Sequence, residues 1–179
     1  MLIVGIGLFI PRSWENKLEG QEEAPRSLSN ASKVLPKFVT AIDAHGNGYA
    51  ASLCEEDILA LAQSGVRVIV RLNGDTKADI GCLSTEQEAQ LCQRYGIRFY
   101  YENVEGRIQE AGQVVANLMR KGGVVVHCRN GAHRAPAMAA YYLWREGTRR
   151  EDIIRLVGWQ DLIQSPGQYK KYTQAVLPV

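Results

Sequence analysis

The sequence predicts an α/β fold: a central, mainly parallel sheet flanked by helices on both sides. Three observations carry this. Short β-branched or aromatic runs at residues 66–72, 97–101 and 124–127 alternate with stretches of helical apolar spacing. That alternation is what crossover connections between parallel strands require. The chain has 179 residues, 46% apolar and 22% charged, enough for one domain to bury a core without metal or disulfide staples.

The folded unit is expected to begin near Val34, making residues 34–179 the domain and residues 1–33 an N-terminal strand or arm. Residues 2–10 are apolar but short, hold two glycines and lack a basic leader. They suit a peripheral strand or packed tail better than a membrane span or signal peptide. Residues 11–32 are polar, with Pro11, Gly20, Pro25 and several serines, and read as a connector.

Residues 38–42 read as the first strand, and His45 to Gly48 as a turn. Ser52 and Glu55 have capping-box spacing ahead of a helix through Ile58, Leu59 and Leu61 that stops at Gly65. Residues 66–72 alternate as a strand, closed by Asn73, Gly74 and Asp75. A helix from Ser84 or Thr85 carries Ala89, Leu91 and Cys92 to Gly96, and residues 97–101 form the next strand. A helix over residues 108–120 precedes Gly122, Gly123 and the strand ending at His127. After it comes a helix over residues 135–144, with Pro136 tolerated in its first turn. Thr148 and Glu151 suggest a second capping box, and Ser165-Pro166 opens a last helix whose Tyr169, Tyr172 and Val176 are expected in the core.

Chemistry concentrates in His127-Cys128-Arg129-Asn130-Gly131-Ala132-His133-Arg134, a loop between a strand and a helix start. A thiol there meets inward N–H groups and the positive end of a helix, which favour a thiolate and a bound oxyanion. Gly131 supplies the backbone freedom of a loop wrapped on an anion. Arg134 brings a planar fork of donors suited to two phosphate oxygens. Cys128 for attack, with Arg134 and the amides of residues 129–134 for the phosphoryl oxygens, is equipment for ester hydrolysis through a phosphocysteine. That chemistry needs no metal and no cofactor.

The loop resembles the signature of the cysteine-dependent protein tyrosine phosphatase superfamily: His-Cys, five residues, then Arg. It is closest to the compact dual-specificity and atypical members, and the resemblance runs from about Leu35 to Leu177. It implies a phosphatase-like three-layer sandwich and a phosphorylated protein or small phosphorylated molecule as substrate. Phosphotyrosine is the first expectation, with phosphoserine and phosphothreonine next. Gly131-Ala132-His133-Arg134 is also similar to the Gly-Lys-His-Arg of phosphatases acting on inositol pyrophosphates, although Ala132 lacks the lysine. That keeps inositol pyrophosphates and phosphoinositides open as substrates, with His133 biasing the pocket towards highly charged phosphates. In the family the histidine before the cysteine, here His127, orients the loop by hydrogen bonding.

Two positions depart from the family. Its general acid is an aspartate after the strand corresponding to residues 97–101, where this chain has Glu102-Asn103-Val104-Glu105-Gly106. Glu105 is the first candidate and Glu102 the second, with Asp75 and Asp79 after a neighbouring strand in reserve. The family's serine or threonine after the arginine is Ala135 here, which cannot assist the leaving thiolate, so slow release from phosphocysteine is expected. Both departures leave room for a phosphate-binding pseudophosphatase, and a rhodanese-like sulfur carrier fits Arg134 less well.

A net charge of +2 gives no reason to expect nucleic-acid binding, and no segment is expected to span a membrane. Cys54, Cys82, Cys92 and Cys128 lack the short paired spacings of zinc or redox sites, and a reactive thiol suits reducing surroundings, so the expected location is cytoplasmic.

Overall fold

The computed structural model describes residues 34–159, 171–172 and 174–177, all within the unit Ser32–Val179. The expected N-terminal arm, Ser165, Pro166 and Tyr169 lie outside the described residues. Strands β1 (Thr40–Ala41), β2 (Gly48–Ala50), β3 (Val68–Arg71), β4 (Arg98–Tyr101) and β5 (Val124–His127) form one sheet in the order β1-β2-β5-β3-β4. Only β1 runs antiparallel, against β2; the other three pairings are parallel. The helices are α1 (Glu55–Gln63), α2 (Thr85–Arg94), α3 (Ile108–Met119), α4 (Arg134–Arg145) and α5 (Arg150–Leu156).

Strand alternation sorts the core into two layers of side chains. Val68, Val70, Val124 and Val126 pack with Ala111, Val115, Met138 and Ile153 of α3, α4 and α5. Ile69 and Val125 point the other way, into Ile58, Leu61, Leu91 and Cys92 of α1 and α2. The three-layer sandwich expected from the sequence is therefore present. Each fully buried Ile or Val contributes roughly 1.5–3 kcal/mol by leaving water. No described helix is long and apolar enough to cross a membrane.

Several boundaries differ from expectation. The first strand shrinks to Thr40–Ala41, and the expected turn at Gly48 instead opens β2 beside β5. Glycine is required there by close approach: a Cβ would lie 2.5 Å from Val39 Cγ1 and 2.8 Å from the Thr40 carbonyl. The Ser52/Glu55 capping box does not form. The N-cap of α1 is Cys54, whose N–H donates to Asp57 at 2.9 Å. Nor does the Thr148/Glu151 box form, since α5 starts after Arg149, which pairs with Asp152. A further capping box, not among those expected from the sequence, forms at α2, where Ser84 is the cap and Gln87 closes it reciprocally. Cys54 and Cys82, 28 residues apart, are joined in a disulfide, while Cys92 and Cys128 are free.

Candidate active site

All three residues of β5 that precede His127 are fully buried, and the chain leaves the sheet at Cys128, which is 3% exposed. The exit is held from both sides. Leu72 N–H donates to the His127 carbonyl at 2.9 Å on the β3 side, and Ser52 N–H donates to the Arg129 carbonyl at 3.1 Å beyond β2. Gly131 has φ +66°, and a Cβ there would lie 2.8 Å from the Ala51 nitrogen. The loop can therefore pass backbone against backbone only with glycine at this position. Helix α4 begins at Arg134 after His133, which makes no side-chain cap bond. The unbonded N–H groups of its first turn thus end the loop with partial positive charge.

A cleft of about 620 Å³ opens over this loop. Cys128, Arg129, Asn130, His133 and Arg134 line it from the loop and α4. Gly74, Thr76, Ala78 and Asp79 come from the β3–α2 connection, and Asn103 to Gly106, including Glu105, from the β4–α3 connection. Lys171 and Tyr172 close a further side. Gly131 and Ala132 are not among the lining residues; Gly131 lies against Ala50 and Ala51. Of the four candidate acids, Glu105 and Asp79 share the cleft with Cys128. Glu102 and Asp75 do not line it. Burial pushes the Glu102 carboxyl up, and Asp75 accepts from Arg71 and from Thr85 N–H.

Arg134 is met by a carboxylate. Its Nη1 donates to Asp79 Oδ2 at 2.8 Å and to the Leu72 carbonyl at 3.1 Å, and its Nη2 donates to Asp79 Oδ1 at 2.5 Å. Arg129 also donates to the Ala78 carbonyl, so two arginines of the anion loop hold the 74–79 segment. Hydrogen bonding to Arg134 is the main reason the Asp79 carboxyl lies below its ordinary value of 3.8, and the same bonds raise Arg134. The pair's stabilisation is therefore complete above the unfolded carboxylate range and is lost only as pH falls through the lower folded value. A carboxyl held ionised in this way is a poor proton donor at neutral pH.

Residues 46–148, more than half of the chain, match a family model described as polymorphic toxin system, DSP-PTPase phosphatase. The chain belongs to that family. Comparison of structures finds the same fold in solved proteins. A Shewanella putrefaciens protein described as "putative phosphatase (DUF442)" superimposes with TM-score 0.60 at 20% identity, over 78% of this chain and 88% of its own. Tk-PTP in its active form gives TM-score 0.58 at 15% identity, over 78% and 96%. The catalytic core of the yeast PP-IP phosphatase Siw14 gives 0.50 at 11% identity, over 81% and 79%. No curated protein matches the chain.

Two groups of residues in this DSP-PTPase phosphatase reach the site without being marked by its motif. Tyr172, expected in the core, packs partly against it but also stacks on His133 at a ring distance of 5.6 Å, with Lys171 Nζ 5.6 Å from the Tyr172 ring. Burial is the main cause raising the Tyr172 phenol. The second is the pair Arg71 and Glu88, which meets His127, already nominated, in a buried hydrogen-bonded cluster. Its signals were present in the sequence: Arg71 ends a β-branched run, and Glu88 falls three and four residues before Leu91 and Cys92, on the apolar stripe of α2.

Proposed function

We propose that this phosphatase hydrolyses phosphate monoesters by attack of Cys128 on phosphorus, forming a phosphocysteine that water then cleaves. The observation that supports it most is the convergence of Cys128, Arg134 and Glu105 on one cleft at a helix start. In this reading the amides of residues 129–134 and the Arg134 fork bind the equatorial oxygens, and the grip strengthens as charge redistributes in the transition state. Asp79 holds Arg134 in its binding rotamer until the phosphate dianion takes over those donors. Glu105 protonates the leaving oxygen. His127 supports the loop from beneath.

The roles of the two cleft carboxylates are separable. Glu105→Gln is expected to lower kcat about a hundredfold, because an unassisted alkoxide or phenoxide leaves slowly. Asp79→Asn is expected to leave kcat within a few-fold and to bind inorganic phosphate more tightly, since it removes the carboxylate that competes for Arg134. Product-inhibition constants and kcat for both variants decide it. A collapse of kcat in Asp79→Asn alone would exchange their roles.

Ala135 is fully buried and follows Arg134 in α4, and its methyl group offers no hydroxyl to the departing thiolate. Phosphocysteine hydrolysis is therefore expected to lag its formation. Rapid mixing with an activated aryl phosphate should give a burst approaching one equivalent, and Ala135→Ser should raise the steady-state rate several-fold. No burst, with Ala135→Ser no faster, would place the slow step elsewhere.

Phosphotyrosine, with phosphoserine and phosphothreonine, is the substrate class we favour. The cations at the cleft, Arg129, Lys171 and Arg134, with His133 beside them, favour a second reading in which a polyphosphorylated inositol is the substrate. Comparing kcat/KM for a phosphotyrosyl peptide and for an inositol pyrophosphate separates the two. An oxidisable Cys128 favours a cytoplasmic setting, in which the Cys54–Cys82 bond would face reduction because Cys82 is exposed.

A further inference from the structure

We infer that Glu88 is a positioning residue for the reaction, the shared acceptor through which Arg71 and His127 set where Cys128 sits. This rests on the reading of Cys128 as nucleophile. Glu88 is fully buried, as are His127 and, to within 1%, Arg71. One carboxylate oxygen accepts from Arg71 Nη1 at 2.7 Å, and the other lies 2.7 Å from His127 Nε2. A carboxylate buried this deeply destabilises the fold unless its lone pairs are filled, and here both oxygens are engaged by donors.

The chemistry of the partners assigns the histidine tautomer. Arg71 has no acceptor and Glu88, paired with it, has no proton to give, so Nε2 of His127 must carry the hydrogen. Nδ1 is buried without a hydrogen-bond partner among the described residues, which suits a lone pair better than an orphaned N–H. The ring is thus pinned by one oriented bond. Because His127 and Cys128 are consecutive at the end of β5, pinning that ring also fixes the backbone from which the sulfur projects.

Arg71 extends the same linkage to the opposite wall. Its remaining donors hold the carbonyls of Asn73, Leu83 and Ile80 at 2.9 Å each, on the connection that carries Asp79 to Arg134. One buried carboxylate therefore stands between the segment presenting the thiol and the segment presenting the guanidinium's partner. Glutamine at 88 has one acceptor where two donors arrive. Its amide must either oppose Arg71 or donate to Nε2, which forces the proton to Nδ1.

Glu88→Gln in the full chain is expected to fold with lowered stability and to lose ten- to a hundredfold in kcat on an aryl phosphate, with KM changed by less than about threefold. Long-range nitrogen–proton NMR of His127 should show the Nε2–H tautomer in the wild type and a shift towards Nδ1–H in the variant. An unchanged kcat in folded Glu88→Gln, or an Nδ1–H tautomer in the wild type, overturns the inference. The wild-type spectrum decides it even where the variant does not fold. Should the wild type turn over no ester, the nucleophile reading fails by itself. The rate of Cys128 alkylation by iodoacetamide, mapped by peptide mass, then reads the positioning: a fall in Glu88→Gln supports it and equal rates overturn it.

Discussion

Replacing Cys128 with serine is expected to reduce turnover of an activated aryl phosphate by a thousandfold or more, on the order of what removal of a covalent nucleophile costs. The substitution changes one atom in a residue that is 3% exposed, so fold and cleft should survive. What changes is reactivity. A serine hydroxyl holds its proton far more tightly than a thiol, and no described carboxylate or histidine is shown accepting from position 128 to act as its base. Binding should persist, because Arg134 and the amides of residues 129–134 are untouched. Inorganic phosphate or vanadate should still protect the serine variant against thermal unfolding, as mass action requires of a ligand that binds only the folded state. Turnover lost with binding kept is the signature of a nucleophile. Equal inactivity of the wild type and the variant, with equal binding, would instead mark a pseudophosphatase that grips phosphorylated partners. A wild-type rate matched by Cys128→Ser would remove the cysteine from the chemistry altogether.

The parts of the molecule that were legible from the sequence are those in which several local signals coincide. Residues 124–127 combine β-branching, a glycine pair before them and a thiol-bearing loop after them, and β5 falls there. The helix expected to open at Ser84 or Thr85 does so at Thr85, with Ser84 as its cap and Gln87 closing a capping box reciprocally. Ser52 and Glu55 have the same spacing but yield to Cys54 and Asp57, the cap falling two residues further on, at a cysteine held in the disulfide. Strand β2 escaped notice since three residues beginning with glycine carry almost no periodicity, and its place is decided by pairing with β5. In the site, Cys128 and Arg134 could be nominated because motif spacing is local, and Glu105 because the resemblance places an acid after the strand at residues 97–101. Asp79 opposite Arg134, 55 residues away, and Glu88 beneath His127, 39 residues away, depend on how the β3–α2 connection and α2 fold back over β5. No spacing rule carries that information.

The largest effect on stability is expected from opening the Cys54–Cys82 bond. Chain-entropy reasoning for a closed segment of 28 residues gives about 3.5 kcal/mol of stabilisation from restricting the unfolded state. For a domain of this size that corresponds to a fall in Tm of roughly 10 °C. The measurement is best made in the Cys128→Ser background, where thiol reductants act on no nucleophile. Cys92 is fully buried, and desolvation pushes its thiol up to about 12, which keeps it out of exchange reactions at neutral pH. Melting with and without dithiothreitol, and melting of the double variant Cys54→Ser/Cys82→Ser, should agree. If neither treatment moves Tm by more than about 1 °C, the two sulfurs are not bonded in solution or the bond restrains nothing. The bond also matters beyond stability, because of what it ties. Cys54 caps α1, whereas Cys82 lies three residues after Asp79 on the connection that Arg71 and Asn73 hold through its carbonyls. In the otherwise wild-type enzyme, opening it should loosen Asp79 from Arg134 before it disturbs the sheet. Reduced protein, assayed below its lowered Tm, should therefore show altered phosphate inhibition ahead of any loss of helix signal in circular dichroism. Loss of both together at the same temperature would mean that the disulfide supports the fold as a whole rather than that wall of the cleft.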